Sequence, residues 1–254
     1  MDARPELALT EYRQIDSTNR ALWRQLMSGG CHLPAAAIAR EQTAGRGQWQ
    51  RTWQSAPGGL YLSIALPAPD VPHGRLPLAI ARAIARALRH QGLPVQLKWP
   101  NDLILQGKKL GGLLCETRRL GDQAQTVVGL GCNWTNPVPE TGINLQTWQQ
   151  TTGLSAVTGL EQLAAIASYG ILTGAAIAAN TDWLTDYWQL LAHQQGPVRV
   201  QGCPGTAIGV TPAGELRVRL QAPGAATEIC CLPGSVRIDY ADLSPTPDSI
   251  APPD

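Results

Sequence analysis

The sequence lacks several features that would place it in a common functional class. Only 15% of its 254 residues are charged and the formal net charge is +1, which argues against the broad basic surface of a dedicated DNA or RNA binder. Its six cysteines match no zinc-binding spacing and contain no CxxC motif. We therefore expect free thiols in a reducing compartment and no nucleic-acid partner.

Long apolar segments are also missing. No stretch reaches the roughly 18 apolar residues of a membrane span, and residues 1–10 contain no apolar core like that of a signal peptide. The most apolar region, residues 166–179, is interrupted by Ser, Thr and Gly and is predicted to be a buried helix. With 44% hydrophobic residues the chain can bury an ordinary core. These features predict a cytoplasmic globular protein with no membrane partner.

The spacing of apolar residues indicates two domains of different architecture. The predicted strands lie at 35–39, 60–66, 95–98, 103–105, 112–116 and 126–132. The predicted helices lie near 17–28, 76–88, 161–178 and 181–193. Strict alternation over 60–66 predicts a strand with one buried face. Together these elements predict an α+β fold in which helices cover a mixed sheet.

The character of the sequence changes after Gln195. Five short predicted strands follow, at 198–200, 206–210, 216–220, 227–231 and 235–238, separated by Pro- and Gly-containing turns. This pattern predicts a small β-barrel. We divide the chain into a catalytic domain over 1–195, a barrel over 196–240 and a proline-rich disordered tail over 241–254.

One segment of the larger domain combines glycine, arginine and tryptophan. Residues 45–53 read Gly-Arg-Gly-Gln-Trp-Gln-Arg-Thr-Trp. Glycines let the backbone approach a ligand closely, the arginine fork fits phosphate oxygens, and tryptophan offers a face on which a purine can stack. The combination favours a nucleotide ligand. Gly-Arg-Gly also occurs in disordered RNA-binding segments, so this loop does not decide the function alone.

Four other segments place polar side chains at turns, at a helix start and at strand ends. They are residues 16–19 before the first predicted helix, 98–102 between two strands, 108–112 and 129–133. A lysine ahead of two glycines, as at Lys109, can direct a cation at a phosphate while the backbone approaches the ligand. Each segment also fits a simpler explanation, namely a helix cap, a turn, a solvated lysine or a strand end.

In their order and spacing these segments resemble the biotin protein ligases. The family pattern GRGRxGRxW stands here as GRGQWQRTW, KWPNDL is intact at 98–103, and the lysine-and-glycine segment and the GxGxN strand end follow at 108–116 and 129–133. The resemblance covers about residues 12 to 240. It implies a class II synthetase-like biotin/lipoate ligase catalytic domain and an SH3-like C-terminal barrel.

The resemblance implies a two-step reaction. Biotin and MgATP form biotinyl-5′-AMP, and biotin then passes to a lysine of a biotin carboxyl carrier protein, the acetyl-CoA carboxylase subunit. The substrates would be ATP and biotin, with Mg²⁺ as cofactor. Since the ligase signature begins by Asp16, we expect a ligase without a DNA-binding repressor domain. The chain could be a monomer or a homodimer.

The resemblance also implies roles for individual residues. The expected biotin site comprises Ser17, Thr18, Asn19, Gln42, Gly45, Arg46, Gly47, Gln48, Lys109, Gly111 and Gly112. The expected ATP and adenylate site comprises Arg46, Gln48, Arg51, Trp53, Asn101, Lys109, Leu113, Gly129, Gly131 and Asn133. Lys109, Arg51 and Arg46 are the expected catalytic residues. Asp102 is the candidate Mg²⁺ ligand.

Two positions in the glycine loop depart from the family pattern. Gln48 stands where the family has its second arginine, and Gln50 stands where it has its third glycine. We expect weaker retention of the anionic adenylate because glutamine carries no charge. Three alternatives stay open: a lipoate ligase or octanoyltransferase, an RNA-binding module, and an inactive scaffold that binds carboxylase subunits.

Overall fold

The computed structural model describes residues 7–221 and 227–243. Its larger part is a seven-stranded sheet flanked by helices. The strands are β1 (Ala8–Tyr12), β2 (Ala35–Ala39), β3 (Leu60–Pro67), β4 (Gln96–Lys98), β5 (Asp102–Leu105), β6 (Lys108–Leu120) and β7 (Gln123–Cys132). The helices are α1 (Thr18–Met27), α2 (Arg75–His90), α3 (Leu145–Thr152), α4 (Leu160–Ile177) and α5 (Leu184–Gln189).

The strands of this sheet follow the order β1-β2-β3-β7-β6-β5-β4. Only the β1–β2 pair among them is parallel, and the other neighbours are antiparallel, so the predicted α+β fold with a mixed sheet is confirmed. Strand β6 is longer than the predicted 112–116 because it pairs with β7 from Gly111 to Leu120. The start of β6 pairs with β5 instead, with Lys109 opposite Ile104, so Lys109 lies within a strand.

Strand β3 is buried on both faces, so the prediction of one buried face is wrong. Leu62 and Ile64 face a core shared with α2 and α4, while Ala65 belongs to a second cluster with Leu22 and Trp23 of α1. Alternate side chains of β3 point to opposite faces of the sheet, and both of these faces are packed, so neither face is exposed to solvent. Helix α1 is therefore fixed against the sheet, which places its first turn at the site described below.

Helices α2 and α4 pack closely through two glycines of α4. A Cβ added at Gly170 would lie 2.6 Å from Ile84 Cγ1, and one added at Gly174 would lie 2.5 Å from Ile80 Cα. By length and composition α4 could also cross a membrane, contrary to our expectation that no segment would. In this structure only 28% of that segment is buried, and Tyr169 is 64% exposed. The predicted buried helix is therefore buried along one side.

The region between α3 and the second sheet differs from the prediction in two ways. Helix α3 was not predicted, and α5 ends at Gln189 although the pattern predicted a helix over 181–193. The helix ends early because the chain turns to pair with β4: Leu97 donates to the Leu190 carbonyl, and Ala192 donates to the Leu97 carbonyl. Backbone pairing with the sheet thus replaces the last helical turn.

The five strands predicted after Gln195 are all present. They form an antiparallel sheet in the order β11-β10-β9-β8-β12, comprising β8 (Pro197–Val200), β9 (Cys203–Val210), β10 (Leu216–Leu220), β11 (Thr227–Cys231) and β12 (Val236–Arg237). This arrangement agrees with the predicted small barrel. Trp99 ties it to the large sheet, because its indole Nε1 donates to the Gly214 carbonyl at 3.1 Å.

The predicted tail begins with ordered residues. Tyr240–Asp242 form a short 3-10 turn after β12, and Leu243 is buried. The rest of the predicted tail, residues 244–254, lies outside the described residues. The division into domains at residues 195 and 240 stays a prediction.

We predict that His193 makes the folded protein sensitive to acid. Its ring is 1% exposed, and neither ring nitrogen has a hydrogen-bond partner among the described residues. Burial, reinforced by the nearby Lys98 ammonium, lowers the pKa of this imidazole from 6.5 to about 3. The unfolded chain therefore binds a proton that the folded chain excludes between these two values. The free energy of unfolding should fall as the pH drops through this window, by up to about 1.4 kcal/mol per pH unit.

Urea denaturation at pH 7, 5 and 4 measures this slope. The His193→Leu variant removes the titrating group and should show a flatter dependence on pH. His90→Leu is the matched control, since His90 is exposed at the end of α2 and its loss should leave the slope unchanged. Equal slopes in His193→Leu and the unsubstituted protein would contradict the prediction.

Candidate active site

A cavity of about 730 Å³ opens where the large sheet meets the second one. It is bounded by the start of α1, the loop after β2, the β4–β5 turn and the neighbouring strands β6 and β7. The turn between β11 and β12 also contributes to its wall. Its volume and its mixture of apolar surface with a few polar groups suit a small-molecule ligand.

Most of the residues predicted from the sequence meet in this cavity. Those that line it are Ser17, Thr18, Asn19, Gln42, Arg46, Gly47, Gln48, Arg51, Trp53, Asn101, Asp102, Lys109, Gly112, Leu113, Gly129, Gly131 and Asn133. They come from segments that are distant along the chain and share one concave surface. The structure thus brings together the proposed biotin and ATP residues, while their individual roles stay predictions.

Gly45 and Gly111 do not line the cavity. A side chain at Gly45 would collide with Ser55 and with the Trp53 carbonyl. A Cβ at Gly111 would lie 2.7 Å from the Gly131 carbonyl oxygen on the neighbouring strand. Both glycines therefore permit close backbone packing behind the site, a structural need that the sequence pattern did not distinguish from ligand contact.

The first turn of α1 forms a network of neutral polar groups at one end of the cavity. Gln42 Oε1 accepts from the Thr18 backbone N–H at 2.9 Å, and Ser63 Oγ donates to Asn19 Oδ1 at 2.6 Å. Ser17 occupies the N-cap position without a capping hydrogen bond from its side chain. The capping explanation is therefore not supported for Ser17. A helix start with available N–H and hydroxyl groups can bind a neutral polar ring.

Glu116 is a partly buried carboxylate beside this network that the site prediction did not include. It accepts from Asn19 Nδ2 at 2.9 Å and pairs with Arg46 at 3.2 Å, while Arg118 lies 3.7 Å away. The Arg46 pair anchors the glycine loop to β6, so the arginine is held over the cavity by a charge on the opposite wall. Glu116 lies within the lysine-and-glycine segment, but nothing in the local sequence shows that it faces Arg46.

A cluster of charges occupies another part of the cavity. Lys109 Nζ lies 2.7 Å from Asp102 Oδ1, and Lys98 Nζ lies 3.9 Å from Asp102 Oδ2. The Lys109 ammonium also lies 5.3 Å from the centre of the Trp53 ring. Burial lowers the pKa of Lys98, and Asp102 partly opposes that effect. Two cations around one carboxylate leave net positive charge available to a bound anion.

Asp102 has no unengaged oxygen in this arrangement. Besides the two lysines, it accepts a hydrogen bond from the Tyr240 hydroxyl at 2.9 Å. The described residues also contain no group of three or more acidic, histidine or cysteine side chains placed to hold a metal. To coordinate Mg²⁺, an Asp102 oxygen would have to share or exchange its contact with Lys109 or Tyr240. Mg²⁺ at Asp102 stays a prediction.

The two asparagines expected near ATP also brace the walls of the cavity. The Asn101 amide donates to the Leu113 carbonyl and is buried. Asn133 Nδ2 donates to the Lys109 carbonyl at 3.3 Å, and its Oδ1 accepts from Asn136 at 3.0 Å. These bonds fix the β6 backbone at Lys109 and at Leu113. The strand carrying the lysine is therefore held in place before any ligand binds.

The glycine loop reaches the second sheet through Trp49. Both Trp49 and Gln50 have left-handed backbone conformations, with φ of 57° and 59°. A Cβ added at Gly234, in the turn between β11 and β12, would lie 2.8 Å from the Trp49 ring. Pro233, Gly234 and Val236 line the cavity. This wall was not predicted from the sequence, because no local pattern in a Pro-Gly turn points to a distant ligand site.

The cysteines nearest the cavity are not nucleophiles. Cys115 and Cys132 lie on β6 and β7, and burial raises the pKa of each thiol to about 12. Both side chains therefore stay protonated at neutral pH and behave as small apolar groups.

Comparison with known proteins shows what this chain is similar to. The model of the biotin/lipoate A/B protein ligase family matches residues 11–133. The bifunctional ligase/repressor BirA of Escherichia coli is 41% identical over 139 residues, which are 53% of this chain and 43% of BirA. Over about half of its length the chain is thus similar to biotin protein ligases.

Two other biotin protein ligases extend the comparison. The biotin–[acetyl-CoA-carboxylase] ligase of Mycobacterium tuberculosis is 35% identical over 143 residues, covering 51% of this chain and 52% of that ligase. The matches thus span about half of these relatives or less. The solved Aquifex aeolicus biotin protein ligase in complex with biotin and ATP superposes with a TM-score of 0.72 at 24% identity, over 91% of this chain and 99% of that one. This last likeness shows the shared fold.

Proposed function

We propose that this protein activates biotin with MgATP to biotinyl-5′-AMP and transfers biotin to a lysine of a biotin carboxyl carrier protein. One observation carries the proposal: a single cavity joins the neutral polar network at the start of α1 to the Lys109–Asp102–Lys98 cluster. The first end suits the uncharged ureido ring of biotin, and the second suits phosphate oxygens.

In the first step, an oxygen of the biotin carboxylate attacks the α-phosphorus of ATP. The bond to the β-phosphate oxygen breaks, pyrophosphate leaves, and an acyl–phosphate anhydride forms. Two anions must approach each other, so fixed cations at the point of attack lower the barrier. Lys109 is placed for this role by its strand and by Asp102, while Arg46 and Arg51 lie on the loop at the same cavity.

In the second step, the neutral ε-amine of the acceptor lysine attacks the activated carbonyl carbon. The carbon–oxygen bond to AMP breaks, the amide forms, and the amine loses a proton. Lys109 can stay near the carbonyl and phosphate oxygens during this transfer and stabilise the charge that develops on them. The acceptor is proposed to be the carrier subunit of acetyl-CoA carboxylase.

Biotin-dependent exchange between ATP and labelled pyrophosphate tests the first step directly. We expect exchange with biotin and none with lipoate or octanoate, followed by labelling of a purified biotin carrier domain. Exchange with lipoate alone would favour the lipoate ligase alternative. Steeply salt-dependent filter binding of RNA with no exchange would favour the RNA-binding module.

We predict that Gln48→Arg slows the release of biotinyl-AMP. Gln48 lines the cavity, so an arginine there would add a cation beside an anionic intermediate. An exposed charge pair contributes about 0.2–1 kcal/mol, so we expect a dissociation rate up to about fivefold slower. The measurement traps labelled biotinyl-AMP from preloaded enzyme by rapid filtration. Slower release should also reduce indiscriminate labelling of lysines on bystander proteins.

Gln50→Arg is the matched control for this substitution. Gln50 belongs to the same short 3-10 turn but lies on a separate open depression outside the cavity lining. The Gln50→Arg substitution adds the same charge to the same loop, and the dissociation rate of biotinyl-AMP should stay unchanged. A rate in Gln48→Arg no slower than that of the unsubstituted enzyme would count against the prediction.

A further inference from the structure

Tyr240 links the end of the second sheet to the charge cluster of the cavity. It begins the 3-10 turn after β12, 138 residues beyond Asp102 in the chain. Its hydroxyl donates to Asp102 Oδ2 at 2.9 Å, and Lys98 Nζ lies 4.3 Å from the centre of its ring. One side chain therefore contacts both a carboxylate and an ammonium of the candidate active site.

The contacts of Asp102 show the effect of this tyrosine. Oδ1 pairs with Lys109 Nζ at 2.7 Å, while Oδ2 accepts from the Tyr240 hydroxyl. A donor on each oxygen fixes the plane of the carboxylate group. A carboxylate held in one orientation restricts the ammonium that it pairs with, since the long lysine side chain is otherwise free to choose among rotamers.

The tyrosine ring makes a second contact with the charge cluster. It lies beneath Lys98, and a cation over an aromatic face is stabilised by the ring quadrupole.

We propose that Tyr240 is a positioning residue that acts through Asp102 to set the place of Lys109 for adenylation. The proposal rests on the proposed function, because it needs Lys109 to act at the α-phosphate. Tyr240 takes no part in bond making or breaking. Its loss should affect the rate of adenylation rather than the binding of biotin, whose ring is expected at the other end of the cavity.

Two substitutions separate the hydroxyl from the ring. Tyr240→Phe removes the bond to Asp102 and keeps the ring under Lys98, whereas Tyr240→Leu removes both. In biotin-dependent pyrophosphate exchange we expect kcat to fall roughly tenfold in Tyr240→Phe and further in Tyr240→Leu. The KM for biotin should stay within about twofold, because an interaction that acts on the reaction rather than on binding changes kcat alone.

A double-mutant cycle with Asp102→Ala tests whether Tyr240 acts through Asp102. Formation of biotinyl-AMP is followed in single turnover with enzyme in excess, which records rates far below that of the unsubstituted enzyme. Tyr240→Phe should cost roughly tenfold when Asp102 is present and less than about twofold when it is absent. An unchanged kcat in Tyr240→Phe, or an equal loss in both backgrounds, would overturn the proposal.

Tyr169→Phe is the matched control, because Tyr169 is 64% exposed on α4 and should give unchanged rates. Thermal unfolding of each variant reports whether a rate loss reflects loss of folded protein. An unsubstituted enzyme without biotin-dependent exchange would refute the proposed function itself. An active enzyme whose Tyr240→Phe variant behaves normally would refute only the role of Tyr240.

Discussion

Replacing Lys109 by alanine is expected to reduce the rate of biotinyl-AMP formation by about 10²–10³. The Lys109 ammonium lies 2.7 Å from Asp102 and faces the Trp53 ring at 5.3 Å, so its position in the cavity is defined from two sides. Its removal takes away the cation held at the point where two anions must meet. Lys98 cannot replace it without moving, because it packs over the Tyr240 ring and lies 3.9 Å from the other Asp102 oxygen.

The measurement is single-turnover formation of labelled biotinyl-AMP, followed by transfer to a carrier domain. Lys108→Ala is the control, since Lys108 is the preceding residue on β6 and is exposed. It removes the same charge from the neighbouring position and should keep nearly full activity. Adenylation by Lys109→Ala at the rate of the unsubstituted enzyme would show that the mechanism proposed for this lysine is wrong.

Adding a single methyl group at Gly131 is expected to weaken ATP binding roughly tenfold or more. Strand β7 brings Gly131 directly against the indole of Trp53, and an alanine Cβ there would collide with the ring atoms Cε2 and Nε1. Overpacking of this kind costs about 1–3 kcal/mol. Gly131 lies in a strand that is paired on both sides, whereas Trp53 belongs to a loop. We therefore expect the collision to displace the Trp53 ring rather than the strand. Its displacement would also remove the ring that faces Lys109.

Calorimetric titration with ATP in the presence of biotin measures this loss. Gly209→Ala is the control, because Gly209 is also a buried strand glycine but an added Cβ there meets only the Arg217 side chain, at 3.5 Å or more. Urea denaturation measures the free energy of unfolding of both variants. We expect Gly131→Ala to lower the affinity for ATP while leaving the free energy of unfolding nearly unchanged. An ATP affinity unaffected in Gly131→Ala would mean that the Trp53 ring is not part of the nucleotide site.

The sequence predicted the strands well because their signals are local. Alternating apolar residues between Pro- and Gly-containing turns define each short strand of the second sheet. The failures have a common physical origin in contacts that no window of sequence contains. The second buried face of β3 depends on where α1 packs, and the early end of α5 depends on pairing with β4. Both features therefore depend on the assembled sheet.

The residues of the candidate site also fall into those that the sequence could predict and those that it could not. Lys109, Asp102 and the glycine loop could be found because their residue types and order are informative in themselves. Glu116, Gly234 and Tyr240 could not, because an acid in a strand, a Pro-Gly turn and a late tyrosine are ordinary features. Their significance lies in what they face: Arg46, Trp49 and Asp102. Each pair is far apart in the chain, so only the folded arrangement reveals it.

The bond between Asp102 and Tyr240 has a consequence for how the protein is made. The seven strands of the large sheet all lie before residue 133, so this sheet can form while the ribosome is still adding the second one. Tyr240, the hydrogen-bond partner of Asp102, is nevertheless translated 138 residues later. A nascent or prematurely terminated chain could thus fold its sheet with the carboxylate beside Lys109 held from one side only. Synthesis of the second sheet would then complete the site.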